Sequence, residues 1–480
     1  MEQHQNKLNV TFVSIYLRTD EYDSKYTLAS MRLAAFIQDL DNLNISIKPI
    51  SLNCSAKEKE AFINELNDNA DLICFSCYIW LWEFVKDLSS RIKRRDNRCI
   101  LVGGPELKQR VPNDWFGDEI FVYGEGELVL REICSMLSQG YTAEQINQLK
   151  VIGDATKQGM VYRVPMDSKI KFRSHLYSDA FFEKVHMEEF NNKFIWYDTS
   201  RGCAYSCGYC GFRNRTGMVS YENDIITEEV KNIGKLHAER VFIVDANIGG
   251  IPERGKFVIK QFNMYSPDSK INAYLRPEFI DDEYMEILSN ANIEELRIGV
   301  QTMNESVPKW LRNNCIQAVI DEIPKLTKAG VPWRAELIVG LPGDNFSGLE
   351  KSIRFLMDEV KPTYLYAYHL TILKETELYN ILDGTGEYWI KMNPETNAAV
   401  SSNSYSEEEL EYMLRFSNLI TALYNRYIKI DDNRKYNVAP SFYKLKETVM
   451  SILDKVENGY CCKYNEAVKY WDTHILAEDR

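Results

Sequence analysis

Cys203, Cys207 and Cys210 fall within eight residues, in the run Thr199-Ser200-Arg201-Gly202-Cys203-Ala204-Tyr205-Ser206-Cys207-Gly208-Tyr209-Cys210-Gly211-Phe212. Their spacing is Cys-x3-Cys-x2-Cys. Such short spacing lets three thiolates converge on one small metallic object. A cubane iron–sulfur cluster normally takes four protein thiolates. Three of them, with no fourth cysteine nearby, leave one iron open to a ligand that is not protein. Structural zinc sites instead show paired Cys-x2-Cys units and four ligands, and ordinary core cysteines need no fixed spacing. The pattern therefore points to a 4Fe-4S cluster with Cys203, Cys207 and Cys210 as its ligands.

With the aromatic Tyr209 just before the third cysteine, the run resembles the signature of the radical S-adenosylmethionine (radical SAM) enzymes. The resemblance implies that the fourth iron chelates the amino and carboxylate groups of S-adenosyl-L-methionine (SAM). It also implies that one electron passed into the sulfonium yields methionine and a 5′-deoxyadenosyl radical. A donor such as flavodoxin or ferredoxin would supply the electron.

The loop must be delivered by a strand, and Phe194-Ile195-Trp196-Tyr197-Asp198 reads as that strand. Further apolar runs follow at Val241–Asp245, Ile271–Arg276, Glu295–Thr302, Ala335–Gly343 and Tyr364–Leu373. Amphipathic helices come between them, such as Ile226–Arg240 and Ile316–Ala329. Six strands alternating with helices predict a partial (β/α)6 barrel, with function at the strand ends. Polar groups stand there in an order that resembles the family's SAM pocket. Asp245 and Asn247 would hold the methionine amine, and the planar fork of Arg276 suits a carboxylate. Gln301 and Thr302 would face the ribose; Gly340, Leu341, Tyr366 and His369 would lie near adenine or substrate. Each alone reads equally well as a satisfied strand-end polar group or a turn glycine. His369, on an aromatic strand, is at most site-lining.

Upstream, strands at Leu8–Ile15, Ile45–Ile50, Asp71–Cys77, Cys99–Val102 and Glu119–Val122 alternate with helices. That alternation predicts a Rossmann-like, doubly wound parallel sheet, whose ligands sit outside the carboxyl ends of its strands. The pieces Ser76-Cys77-Tyr78-Ile79-Trp80, Gly103-Gly104-Pro105-Glu106 and Gly124-Glu125-Gly126-Glu127 fall at those ends. Together they resemble the cobalamin-binding domain that precedes the barrel in one radical SAM class. The resemblance implies Ser76, Tyr78, Trp80, Gly103, Gly104, Gly124, Glu125 and Gly126 as cobalamin contacts, if cobalamin is bound. Members often carry Asn after the Trp; here the residue is Leu81. The only histidine before His175 is His4, so no Asp-x-His-x-x-Gly motif supplies a lower ligand. Cys54, Cys74, Cys77, Cys99 and Cys134 read as core cysteines. A second cluster, as in the methylthiotransferases, is the alternative, but those end in a small basic β-domain and this chain reads as ending in helices.

The expected organisation is a cobalamin-binding-type domain over 1–140, a connecting segment over 141–193 with a short hairpin, the barrel over 194–384 and a helical domain over 385–480. The last holds helices from Ser406 to Tyr427, Tyr443 to Glu457 and Asn465 to Leu476. Cys315 follows the fourth barrel strand, where a thiol could hand a hydrogen atom to a substrate radical; a core cysteine at a helix start is the plainer reading. Cys461 and Cys462 sit between two tail helices, more structural than catalytic in character.

Composition bounds the rest. The 480 residues are 45% hydrophobic and 26% charged, which is the composition of a folded globular chain. A net charge of −13 argues against a nucleic-acid partner, which needs a basic face. No apolar run is long enough to span a bilayer, and the first residues lack a signal core. Eleven cysteines without a disulfide-like pattern fit a reducing, cytoplasmic setting. The expected reaction is hydrogen abstraction from an unactivated carbon of a peptide or small-molecule natural product, followed by cobalamin-dependent methyl transfer. Two other readings stand beside it: a cobalamin-free epimerase or rearrangement enzyme, and a non-catalytic cluster or cobalamin sensor.

Overall fold

The computed structural model describes residues 7–17, 24–93, 98–108, 119–148, 154–155, 161–164, 175–187, 190, 193–214, 218–312, 316–374, 376–384, 386–430 and 441–453. The chain forms two compact units. One comprises Met1–Arg201, Arg215–Val244 and Gln261–Lys270; the other comprises Gly202–Asn214, Asp245–Lys260 and Ile271–Arg480.

The first unit opens with β1 (Leu8–Tyr16), α1 (Leu28–Ile37), β2 (Leu43–Ser51), α2 (Ala56–Asn69), β3 (Leu72–Ser76), α3 (Trp82–Arg91), β4 (Cys99–Gly103), β5 (Ile120–Gly124) and α4 (Glu127–Ser138). Then come α5 (Ala143–Gln148), β6 (Asp154–Ala155), β7 (Val161–Val164), α6 (Asp179–Lys184) and β8 (Val185–Met187). Their sheet runs β6-β7-β5-β4-β3-β1-β2-β8. All neighbours are parallel except the β6–β7 hairpin. The central strands are near-continuous apolar runs because helices cover both faces of a parallel sheet. Val13, Phe75, Val102 and Phe121 meet Trp82, Val85 and Leu88 of α3 in one core. α2 starts at a capping box, in which Ser55 accepts the Glu58 amide and the Glu58 carboxylate accepts the Ser55 amide at 2.7 Å.

The sheet is wider than the sequence leads one to expect. β7 pairs with β5 and β8 pairs with β2; both are short, and short strands carry little periodic signal. Val151-Ile152-Gly153, read as one arm of the hairpin, lies outside the described residues.

The barrel strands are β9 (Phe194–Tyr197), then, after the short β10 (Ser200–Gly202), β11 (Met218–Ser220) and α7 (Asn223–Lys235), β12 (Arg240–Ile243). α8 (Pro252–Tyr265), β13 (Lys270–Tyr274), α9 (Asp282–Ser289) and β14 (Ile293–Gln301) follow. After them come α10 (Ile316–Asp321), α11 (Ile323–Lys328), β15 (Trp333–Val339), α12 (Phe346–Phe355) and β16 (Tyr364–His369). β12 pairs with β9 in parallel within the first unit. In the second unit β13, β14, β15 and β16 pair in parallel in that order. These are the six strands of the partial (β/α)6 barrel. The helix expected over 316–329 is two helices, because Pro324 cannot continue the amide ladder.

The tail departs from a purely helical expectation. It begins with an antiparallel hairpin, β17 (Ile390–Met392) and β18 (Ala399–Ser402), before α13 (Glu407–Ile430) and α14 (Phe442–Leu453). The Asn425 amide ties α13 to β16: it accepts the Leu365 N–H at 2.8 Å and donates to the Leu365 carbonyl at 2.9 Å. The helix expected at 465–476 lies outside the described residues.

Candidate functional site

Cys203, Cys207 and Cys210 form no disulfide and are all half-buried, on one loop of the second unit. The Cys210 N–H donates to the Cys207 carbonyl at 3.0 Å, which curls the loop's second half. Gly208, between these two cysteines, is pressed against the segment after β14. Its N–H donates to the Leu311 carbonyl at 3.0 Å, and its carbonyl accepts the Leu378 N–H at 3.0 Å. A Cβ on Gly208 would lie 2.7 Å from the Trp310 ring, closer than any real contact. Burial pushes the Cys203 thiol up, partly offset by the Tyr205 backbone N–H. Among the described residues no three His, Cys, Asp or Glu groups converge as a single metal ion would require. Three thiols on one tightly packed loop suit a cluster, whose thiolates sit on separate irons.

Around the loop stand two guanidinium groups. Arg276 lies 3.7 Å from the centroid of the Tyr205 ring and pairs with Glu278 at 2.6 Å. Burial would lower its pKa, but the Glu278 contact dominates and raises it. Arg312, 6% exposed, donates to the carbonyls of Thr302 and Gly299, each at 3.0 Å. Burial, and Arg276 nearby, pull its pKa down to about 9. Its Nε has no acceptor among the described residues. Burying a cation without a paired carboxylate is costly. Sequence reading did not single out Arg312; nothing in a lone Arg after a strand signals that its head will turn inward.

The residues expected to meet SAM lie in the second unit, at or just past strand ends. Asn247 is buried, and its Oδ1 accepts the N–H groups of Gly249 at 3.0 Å and Arg276 at 3.2 Å. Its Nδ2 finds no acceptor. The Tyr284 hydroxyl, close to Asp245, is likewise buried without a partner. Gln301 adopts φ 62°, and its amide folds back over Gly299. The Thr302 hydroxyl is turned inward to Asp344 at 3.0 Å. Gly340, at φ 99°, has its carbonyl bound by the Tyr405 hydroxyl at 2.5 Å, while the Leu341 side chain is buried. His369 Nε2 lies 2.8 Å from the Ala399 carbonyl of β18, and burial lowers its pKa.

One face of this sheet is polar and aromatic instead of apolar. Arg297 and Arg334 share the Glu295 carboxylate at 3.0 and 2.8 Å. Arg334 lies 4.3 Å above the Tyr366 ring, which stacks on Tyr368. Alternation puts these side chains on the face opposite Leu296, Ile298, Ala335 and Leu337, which are fully buried.

In the first unit, Ser76 pairs in register with Gly103, and Gly103 with Val122. The cobalamin candidates of β3, β4 and β5 therefore share one sheet edge. The Tyr78 and Trp80 rings stack at 5.3 Å, and Trp80 remains 67% exposed. Exposed stacked aromatics beside strand ends fit a large planar ligand. Gly104, at φ 123°, has a structural cause: a Cβ would sit 2.4 Å from the Cys77 carbonyl oxygen. Glu125 is not turned to solvent; it is buried and paired with Arg201. Cys74, Cys77, Cys99 and Cys134 are buried, and burial pushes the Cys134 thiol up to about 12. Cys315, Cys461 and Cys462 lie outside the described residues.

The radical SAM superfamily model matches residues 197–356. The cobalamin-dependent radical SAM methyltransferase TokK of Streptomyces tokunonensis is 23% identical over 68% of this chain and 50% of its own length. An uncharacterized methyltransferase of Synechocystis is 23% identical over 63% of this chain and 56% of its own. The chain thus spans about half the length of these curated relatives. Among solved structures, the radical SAM methyltransferase TsrM of Kitasatospora setae superposes with a TM-score of 0.63 at 13% identity, covering 98% of this chain and 99% of that one. The cobalamin-dependent enzyme OxsB gives a TM-score of 0.63 at 14% identity, covering 98% of this chain and 71% of that one. At these identities the two structures share the fold with this chain.

Proposed function

We propose that this chain, a member of the radical SAM superfamily through residues 197–356, cleaves SAM reductively and methylates an unactivated carbon of a peptide or natural-product substrate with the help of cobalamin. The observation that carries the reading is the loop itself: three thiols outside any disulfide, in Cys-x3-Cys-x2-Cys order and packed through Gly208, with buried polar groups nearby that have no partner among the described residues. The likeness to TokK and TsrM supports the methyl-transfer half.

When bound, the cluster supplies the electron that breaks a carbon–sulfur bond of SAM, and cobalamin supplies a methyl carrier. Cys203, Cys207 and Cys210 would hold the cluster. Asn247 Nδ2 and the Tyr284 hydroxyl offer unused hydrogen-bonding groups to a polar ligand head, and Arg276 and Arg312 offer positive charge to an anionic one. The Gly340 turn lets the backbone approach a flat base closely, its carbonyl already fixed by Tyr405. Trp80 and Tyr78 offer stacked faces to a macrocycle. Tyr366, Tyr368, Arg297 and Arg334 would line the substrate's place, and a flavodoxin or ferredoxin would deliver the electron.

The test is anaerobic purification, cluster reconstitution, and incubation with SAM and a strong reductant, followed by mass spectrometry. 5′-Deoxyadenosine formation that disappears in Cys207→Ala, together with stoichiometric retained cobalamin, is the expected outcome. No 5′-deoxyadenosine overturns the radical step. Its formation without bound cobalamin overturns the methyl transfer.

A further inference from the structure

Arg201 stands two residues before the first cysteine, and its guanidinium is held by groups distant in sequence. Its Nη1 contacts Glu125 and lies 2.6 Å from Glu127, and its Nε donates to the Tyr221 hydroxyl at 3.0 Å. Asp198 Oδ2 is 3.8 Å from the same Nε and accepts the Tyr221 hydroxyl. Glu125 and Glu127 are 7% and 2% exposed. They flank Gly126 in the turn between β5 and α4, next to Gly124 with its φ of 101°. Burying a guanidinium and two carboxylates to fasten a strand end is costly, and a leucine would hold a strand end without that desolvation. What the arrangement adds is direction. Charge-assisted contacts fix where the chain leaves the sheet, and the next residue but one is Cys203.

We propose that Glu125 and Glu127 are positioning residues, acting through Arg201, for the chain that leads into the cluster loop. The proposal rests on the cluster reading above. It removes Glu125 from the set of direct cobalamin contacts, since its carboxylate is engaged by Arg201. Groups hydrogen-bonded directly to a metal ligand typically alter metal affinity 10- to 100-fold when replaced; Glu125 and Glu127 act further out, through Arg201 and the backbone, so the lower end of that scale is expected.

The test uses the full chain as wild type, E125Q/E127Q and R201K, each reconstituted anaerobically. Iron loss to a chelator is timed, the reduced cluster is examined by electron paramagnetic resonance, and retained cobalamin is quantified. The expected result is iron loss about tenfold faster in E125Q/E127Q, an altered cluster spectrum, an intermediate effect in R201K, and cobalamin retained at wild-type level. A cluster spectrum and iron loss unchanged in both variants would overturn the clamp. Loss of cobalamin with an unchanged cluster would do the same and return Glu125 to the ligand site. Should wild-type protein assemble a cluster but hold no cobalamin, the methyl-transfer reading falls while the spectra still judge the clamp. A wild-type chain that takes up no cluster sinks both.

Discussion

Gly208 shows how a single residue sets the geometry of the cysteine loop. Its amide reaches the Leu311 carbonyl because nothing but hydrogen separates its Cα from Trp310. Gly208→Ala places a methyl 2.7 Å from the ring and 3.0 Å from the Trp310 carbonyl, so the loop must move outward. Overpacking of this kind costs roughly 1–3 kcal/mol. The strain falls on the segment joining Cys207 to Cys210, so reconstituted iron should drop well below wild type while far-UV circular dichroism stays the same. Adding Trp310→Leu should recover part of the iron. Full iron in Gly208→Ala would refute the packing argument. At this scale the sequence is eloquent where spacing encodes chemistry, as with the three cysteines. It is silent on Arg312, whose role depends on where a head group points once Thr302 and Gly299 present their carbonyls.

At the scale of elements, legibility followed length and periodicity. β1 and β3 announce themselves as buried apolar runs, and β14 and β15 by their alternation of buried and half-buried residues. β8 and the β17–β18 hairpin do not, since three or four residues cannot display a period. The hairpin matters because β18 touches the sixth barrel strand through His369. Burial lowers that imidazole's pKa from its ordinary 6.5, so the fold favours the neutral ring. The unfolded chain then binds the proton more readily than the fold does. Stability from burying the neutral ring is present above about pH 6.5 and is lost as pH falls below it. Wild-type thermal unfolding should therefore move down between pH 7.5 and 5.5 by more than that of His369→Gln. At pH 7.5 the variant should lose about 0.5–1.5 kcal/mol, the worth of one hydrogen bond. Equal pH sensitivity in the two proteins would remove His369 as the cause.

Across the molecule, the first unit is assembled from stretches far apart in the chain, and Arg32 is its clearest witness. This α1 side chain is 2% exposed. It donates to Asp198 at 2.6 Å, across 166 positions of sequence, and to Glu229 at 2.5 Å, across 197. The Leu176 N–H also donates to Glu229, at 2.9 Å. No local pattern marks an arginine in the middle of an apolar helix face as a core residue; its burial exists only once β9 and α7 arrive. A buried pair broken on one side leaves an uncompensated charge and costs about 3–5 kcal/mol, whereas replacing the whole set by neutral groups of like shape is often close to harmless. Arg32→Met should therefore shift the first urea-unfolding transition strongly downward, read by far-UV circular dichroism. Arg32→Met with Asp198→Asn and Glu229→Gln should recover much of that loss despite carrying three changes. If the triple variant proves less stable than the single one, the ion set contributes net stability of its own, and the argument from uncompensated charge fails.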